Sequence, residues 1–202
     1  MSILSLPVTS RTAPSAMTFS LQPNTMRAES PLNRAVQTAE LPGARWIASF
    51  SYQNLNDADA RIYKAWLNRL VGMAGRFYLC DYTHPAPAGT AAGAPLVNGA
   101  GQAGRSIITD GWTVNQANLL LPGDYIGIGG ELKVITSLAS SNSSGIATLT
   151  FEPPLRAAAA DNSAIITNQP TCVMMLSNDQ QDKFTFSERN VTNLQIDCLE
   201  MF

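Results

Sequence analysis

Apolar positions along this chain change period, and the clearest change lies between residues 45 and 82. RWIASFSY (45–52) places Trp46, Ala48, Phe50 and Tyr52 at every second position, which predicts a half-buried strand. In the following NDADARIYKAWLNRLVGMAG, Ile62, Trp66, Leu70 and Met73 recur at helical spacing, while Arg61, Lys64, Asn68 and Arg69 lie away from that stripe. This predicts a helix over about 57–73. Asn56 would cap it, Asp57 and Asp59 would sit where the helix dipole favours anions, and Gly72 and Gly75 would end it. RFYLCDY then returns to period two, with Phe77 and Leu79 on one face.

The pattern changes again at THPAPAGTAAGAPLVNGAGQAG (83–104), where Pro, Ala and Gly predict a connector or a set of turns and no core element. Beyond it come SIIT, LLLPGDYIGI, ELKVITSLA and IATLTFEPPL, separated by the turn signals DG, GG and SSNSSG. Short β-branched runs so punctuated predict a small all-β module of about five strands. From Ala164 the earlier style resumes with AIITNQ, TCVMMLS, KFTFSER and NLQIDCLEM, the last two alternating strands on either side of Asn190. The layout is mainly β: an outer domain with one helix, formed by residues 1–84 and 166–202, and a β-barrel-like module inserted over 85–165. The Pro/Gly-rich approach further predicts few contacts across that boundary and an insert that folds by itself.

The 202 residues suffice for one large domain or two small ones. Only 14% of them are charged, against about 25% in typical soluble domains. Such a chain has either a bland surface or one largely covered by partners, since interface cores are poor in charge. Net charge is −2 without a basic stretch, which excludes the phosphate-neutralising footprint of a DNA-binding protein. Cys80, Cys172 and Cys198 are odd in number and widely spaced, so they predict small apolar core residues in a reducing compartment, neither a disulfide framework nor a zinc site. MSILSLPVTSR has no basic residue ahead of its apolar run, which Pro7 breaks, so no secretion signal is expected. No apolar run approaches the ~18 residues of a membrane span.

Candidate chemistry is sparse. Gly99, Gly101 and Gly104 have the G-x-G-x-x-G spacing of a dinucleotide site, but that site needs a buried strand before it and a helix after it. Ala, Gly and Pro precede the motif, and the β-branched SIIT that follows stops at Asp110-Gly111. Asp124, about twenty residues on, belongs to the turn Pro122-Gly123-Asp124. These glycines are expected to turn the chain. His84, the single histidine, precedes Pro85 in the connector, where nothing in the sequence would orient it for catalysis. Asp110, Asp124, Glu131 and Glu152 could form a carboxylate pair, yet each lies at a turn or strand end. Trp66 belongs to the packing face of the helix, and Asn142-Ser143-Ser144 matches a glycosylation acceptor without a secretory context. No catalytic, cofactor-binding or metal residue is assigned, and no enzyme is expected.

GAGQAGRSIITDGW, LLLPGDYIGIGGELKVIT and IATLTFEPPLR together resemble the inserted module of phage distal tail proteins and related baseplate or hub components of long, non-contractile tails. RWIASFSYQNL, the Asp-rich helix and GRFYLCDY are similar to the first half of their ring-forming domain. The resemblance covers roughly residues 45–156, with Pro122-Gly123-Asp124 and Pro153-Pro154-Leu155-Arg156 its most distinctive pieces. It implies a β-sandwich flanked by one α-helix, assembled as a hexameric ring that continues the tail tube, with the insert projecting outward. The implied protein is a structural part of the virion, assembled in the bacterial cytoplasm. It would join the tail tube protein to the tip hub and fibre proteins, with DNA only as cargo in the channel and no membrane insertion. The alternative is a carbohydrate- or protein-binding module, in which Trp112 or Tyr125 would form the aromatic platform.

Overall fold

A computed structural model of the chain describes residues 2–180, 184–186 and 192–202. The fold is mainly β, with one α-helix, and two six-stranded sheets carry most of it. The chain opens with β1 (Ala16–Gln22), then a hairpin of β2 (Thr25–Glu29) and β3 (Val36–Glu40), then β4 (Arg45–Leu55). Helix α1 (Asp57–Leu70) and β5 (Phe77–Leu79) follow. The next six strands are β6 (Gly93–Val97), β7 (Gln102–Trp112), β8 (Tyr125–Ile128), β9 (Glu131–Ile135), β10 (Ala147–Ala159) and β11 (Ile165–Ile166). The chain ends with β12 (Cys172–Leu176), β13 (Thr185–Phe186) and β14 (Thr192–Glu200).

The first sheet runs β1-β4-β14-β12-β5, with β13 beside β14. Period-two patterning builds it: Trp46, Ala48, Phe50 and Tyr52 of β4 point inward beside Leu194, Ile196 and Cys198 of β14. NLQIDCLE, expected as an alternating strand, is paired along both edges and sits in the middle of this sheet. Most of KFTFSER lies outside the described residues, although Thr185–Phe186 pairs with β14.

Helix α1 starts as expected, with the Asn56 side chain accepting from the Asp59 amide at 2.8 Å. Its buried face differs from the expected stripe. Tyr63, Trp66, Leu67 and Leu70 are buried, whereas Ile62 is exposed and Met73 lies beyond the helix end in a short 3-10 turn. The phase is set by Tyr63, whose ring packs 4.5 Å from that of Tyr52 and gives the helix a wider apolar stripe centred a residue further on. Val71, in the left-handed region at φ 54°, ends the helix one residue ahead of Gly72.

The second sheet, β11-β8-β9-β10-β7-β6, is a nearly closed barrel. Its two ends meet where Val97 and Ser163 share a backbone hydrogen bond and Leu96 bridges Ala164. Two expectations need correction here. Residues 83–104 contain β6, with Pro95 and Val97 buried, so this stretch contributes to the core as well as turning. Strand β7 also runs through Asp110-Gly111 to Trp112. Gly111 permits this at φ 76°, because a Cβ there would lie 2.4 Å from the carbonyl oxygen of Ala94 on β6.

The two cores touch through β9. Ile135 packs in the barrel, whereas Leu132 is fully buried among the residues of the first sheet, with Val134 and Tyr125 against the same cluster. Alternation along one doubly buried strand thus serves both cores. Leu132, Val134 and Tyr125 are thus inserted-module residues that pack in the first core.

Candidate functional site

A charged clasp fills the junction between the sheets. Glu200 occupies an inward position of β14, where burial of a carboxylate demands partners. Arg156 of β10 supplies them through both terminal nitrogens, Nη1 to Oε1 at 2.8 Å and Nη2 to Oε2 at 2.6 Å. The Trp46 amide donates to the same carboxylate at 3.0 Å, and Arg156 also donates to the carbonyl of Ala44 at 3.1 Å. On the other side, Glu131 accepts from the Arg156 amide and from Lys133 Nζ at 2.6 Å. The Lys133 side chain is wholly buried; burial lowers its pKa, while its ion pair with Glu131 pulls the other way. Its remaining contact is the carbonyl of Pro154, at 2.9 Å. The indole of Trp46 donates to Leu132 O at 2.9 Å and lies against Phe19 and Tyr125, so an aromatic cluster backs the charges.

This accounts for the distinctive Pro153-Pro154-Leu155-Arg156 run, which presents one carbonyl to Lys133 and one guanidinium to Glu200. Sequence reasoning did not single out Lys133 or Glu200. Both carry a usable signal: a charge at an inward position of an alternating strand predicts a buried partner of opposite charge.

Beside the clasp lies an open cleft of about 560 Å³ between the β3–β4 turn and β10. Leu41, Pro42, Pro153, Leu155 and Phe202 form much of its wall. Arg105 stands at its rim, paired with Glu40 and, at 2.6 Å, with Glu152, while the Arg156 guanidinium stacks 3.9 Å over the Phe202 ring.

The other nominated residues serve the fold. Gly99, Gly101 and Gly104 all have positive φ; the first two turn the chain between β6 and β7, and Gly104 lies within β7, so no helix follows the motif. Asp124 accepts from the amides of Ala88, Gly89 and Leu121, which pins the connector to its own turn. His84 is exposed, with Nδ1 2.8 Å from Thr83 Oγ1 and 3.6 Å from the buried Asp81, so the local turn does orient it. Glu131 and Glu152 are each bound to cations, and Asp110 lies partly buried within β7. Among the described residues, no three His, Cys, Asp or Glu side chains gather as metal ligands would.

The aromatic platform expected of Trp112 or Tyr125 does not form. Trp112 is buried in the barrel with its indole donating to Thr109 Oγ1 at 2.8 Å. Tyr125 packs edge-on to Trp46, and burial followed by the neighbouring Asp81 charge pushes its phenol up to about 12. All three cysteines are buried as free thiols; burial raises each, Cys198 to about 12.

Two surfaces lack such internal partners. Among the described residues β1 pairs only with β4, leaving one edge of a seven-residue strand open, and AMTFSLQ contains no charge and no proline. The β2–β3 hairpin forms a sheet of its own in which every strand residue is exposed. Among the described residues, no helix is long and apolar enough to cross a membrane. Compared with models of known families and with curated proteins, the chain matches none.

Proposed function

We propose that this chain is a structural virion protein that forms the distal ring of a phage tail, joining the tail tube to the tip hub and fibres. The observation that carries this reading is the open edge of β1. Long, flat edge strands are usually blunted by lysine, proline or a bulge, because they otherwise pair with other chains. β1 has no charge and no proline, and its outward-facing residues, Ala16, Thr18, Ser20 and Gln22, are all uncharged. Such an edge suits a permanent neighbour. A head-to-tail contact repeated around an axis closes a ring when the rotation permits.

The sequence resemblance supplies the number six and the tail-tip setting, with assembly in the bacterial cytoplasm. The low charge content supports a large subunit interface, and a net charge of −2 suits a channel through which DNA passes without being held. The binding-module alternative has lost the two aromatic residues on which it rested.

Solution mass tests the reading. Six copies of the 21.6 kDa chain come to about 130 kDa in a closed ring, which native mass spectrometry resolves with or without the neighbouring tail proteins. Averaged images of the tail tip should show the same ring. A monomer or a two-fold dimer within assembled particles overturns the proposal.

A further inference from the structure

Asn98-Gly99 is the only Asn-Gly pair in the chain, and it opens the turn between β6 and β7. An asparagine followed by glycine is prone to cyclise, because no Cβ on the next residue shields its amide nitrogen from the carboxamide carbon. Gly99 has a positive φ of 94°, and a Cβ built there would meet nothing within 4 Å, so that side of the turn is open.

Asn98 is exposed, and its carboxamide makes no hydrogen bond among the described residues. The Asn-Ser pairs are tied by comparison. Asn142 Oδ1 accepts from the amides of Ser144 and Ile146, at 2.8 and 3.0 Å, and Asn162 Nδ2 donates to Asp161 at 2.9 Å. Only the side chain of Asn98 is left loose; its backbone is held. The Asn98 amide donates to the carbonyl of Ile108 at 3.0 Å, and its carbonyl accepts from Gln102 Nε2 at 2.7 Å.

The attacking atom has a proton acceptor in place. Gly99 N donates to Asp161 Oδ1 at 2.8 Å, so a carboxylate already holds the proton that must leave as the nitrogen attacks. Asp161 stands 62 positions further along, in the turn between β10 and β11, and only the closed barrel brings it here.

We propose that Asn98 is a self-modifying site, at which the Gly99 nitrogen, relieved of its proton by Asp161, closes on the Asn98 carboxamide. The bond from Gly99 N to Asn98 Cγ forms, the Cγ–Nδ2 bond breaks, and ammonia leaves with the proton that Asp161 took up. Water then opens the succinimide at either carbonyl, giving aspartate or isoaspartate, and no other co-reactant is needed. The product bears on the barrel seam. Val97, the preceding residue, closes the barrel through its hydrogen bonds with Ser163 and Asn162. A carboxylate at position 98 stands beside Asp161, where like charges repel, and isoaspartate also lengthens the main chain in that turn.

Mass spectrometry of the full chain, kept folded in mildly alkaline buffer, tests this. The expected result is a slow exchange of amide for acid at Asn98, ahead of Asn142 and Asn162, with heavy oxygen taken up from labelled water. Asp161→Asn keeps an acceptor for Gly99 N but cannot take its proton. Conversion in that variant should slow by about tenfold or more, as loss of a positioned base implies, with an unchanged circular dichroism spectrum. Asn98→Gln, which would have to close a larger ring, should stay unmodified, and ageing should lower the melting temperature of the parent alone. A second reading needs no variant: a parent rate that is flat across neutral pH supports the carboxylate as acceptor, and a rate proportional to hydroxide overturns it. An aged parent that retains the Asn98 carboxamide overturns the proposal. So does conversion as fast in Asp161→Asn as in the parent, or conversion that reaches Asn142 and Asn162 first.

Discussion

Arg156 and Glu200, 44 positions apart in sequence, meet through two parallel hydrogen bonds of 2.8 and 2.6 Å in the middle of the junction between the two sheets. Glu200 is 4% exposed, so its charge depends almost wholly on this guanidinium and on the Trp46 amide. Removing one partner of a buried pair leaves the other charge desolvated and uncompensated, which costs about 3–5 kcal/mol. Arg156→Met is expected to lower stability by about that amount. Glu200→Gln keeps the shape and one acceptor and should cost less. Urea unfolding of both variants, with the slope of the transition compared to that of the parent chain, checks the order.

The shared core makes a second prediction. Leu132 belongs to the barrel by sequence and to the sandwich by packing, and its carbonyl accepts the Trp46 indole. Leu132→Ala is expected to cost about 2–5 kcal/mol, and it should lower the stability of both sheets together. Replacing residues 86–166 by a short Gly-Ser bridge would strip Leu132, Tyr125 and Val134 from the first core and leave Trp46 open to water. A shortened chain of that kind should bind hydrophobic dyes and melt broadly, while the full chain melts in one transition. Calorimetry of the two distinguishes this coupling from independent domains.

The sequence made the strands of both sheets legible wherever period two held, as in β4 and β14, and it placed the Asn56 cap correctly. It did not show the junction. β9 reads as a short apolar run, and nothing in ELKVI says that Leu132 and Ile135 enter different cores. β6 stayed hidden because Gly, Ala and Pro carry little strand signal; it pairs with β7 as a hairpin turned at Gly99 and Gly101, and its other edge meets Ala164 where the barrel closes. The Pro-Pro-Leu-Arg run was conspicuous in sequence, but its role depends on Glu131 and Glu200, which only the fold brings to it.

Asp59 gives a pH prediction. The Ser10 hydroxyl, donating to its carboxylate, holds Asp59 below the ordinary value of 3.8, with help from the Ser10 amide and Asn56. A carboxylate depressed in the folded state contributes stability that is present above its unfolded value and is lost as the pH falls through the lower folded value. Ser10→Ala should bring Asp59 back up, seen directly in a carboxyl carbon-13 titration. The variant should therefore lose stability relative to the parent above the ordinary carboxylate value and converge with it only as the pH falls through the lowered value of the folded parent.

His84 is expected to be dispensable. Its ring is 70% exposed and its contacts, to Thr83 and Asp81, close a local turn that the Thr83 amide and hydroxyl also hold. His84→Ala should leave the melting temperature within a degree or two, as exposed substitutions away from special features do. Loss of infectivity in otherwise well-assembled particles carrying this variant would point to a function for the ring that the proposed role lacks.

The last prediction concerns the edge of β1. Thr18 and Ser20 face away from the core between the inward residues Met17, Phe19 and Leu21, so substitutions there leave the packing against Trp46 intact. Natural sheets discourage pairing by placing lysine on such an edge, where its charge would be desolvated by an incoming strand. Thr18→Lys with Ser20→Lys should therefore leave the spectrum and melting temperature nearly unchanged, since both positions are exposed. The same double variant should fail to reach the mass of a closed ring, and adding salt should partly restore assembly by screening the new charges. Full-size rings formed by the lysine variant at the parent's concentration would remove β1 from the interface and, with it, the observation on which the proposed function chiefly rests.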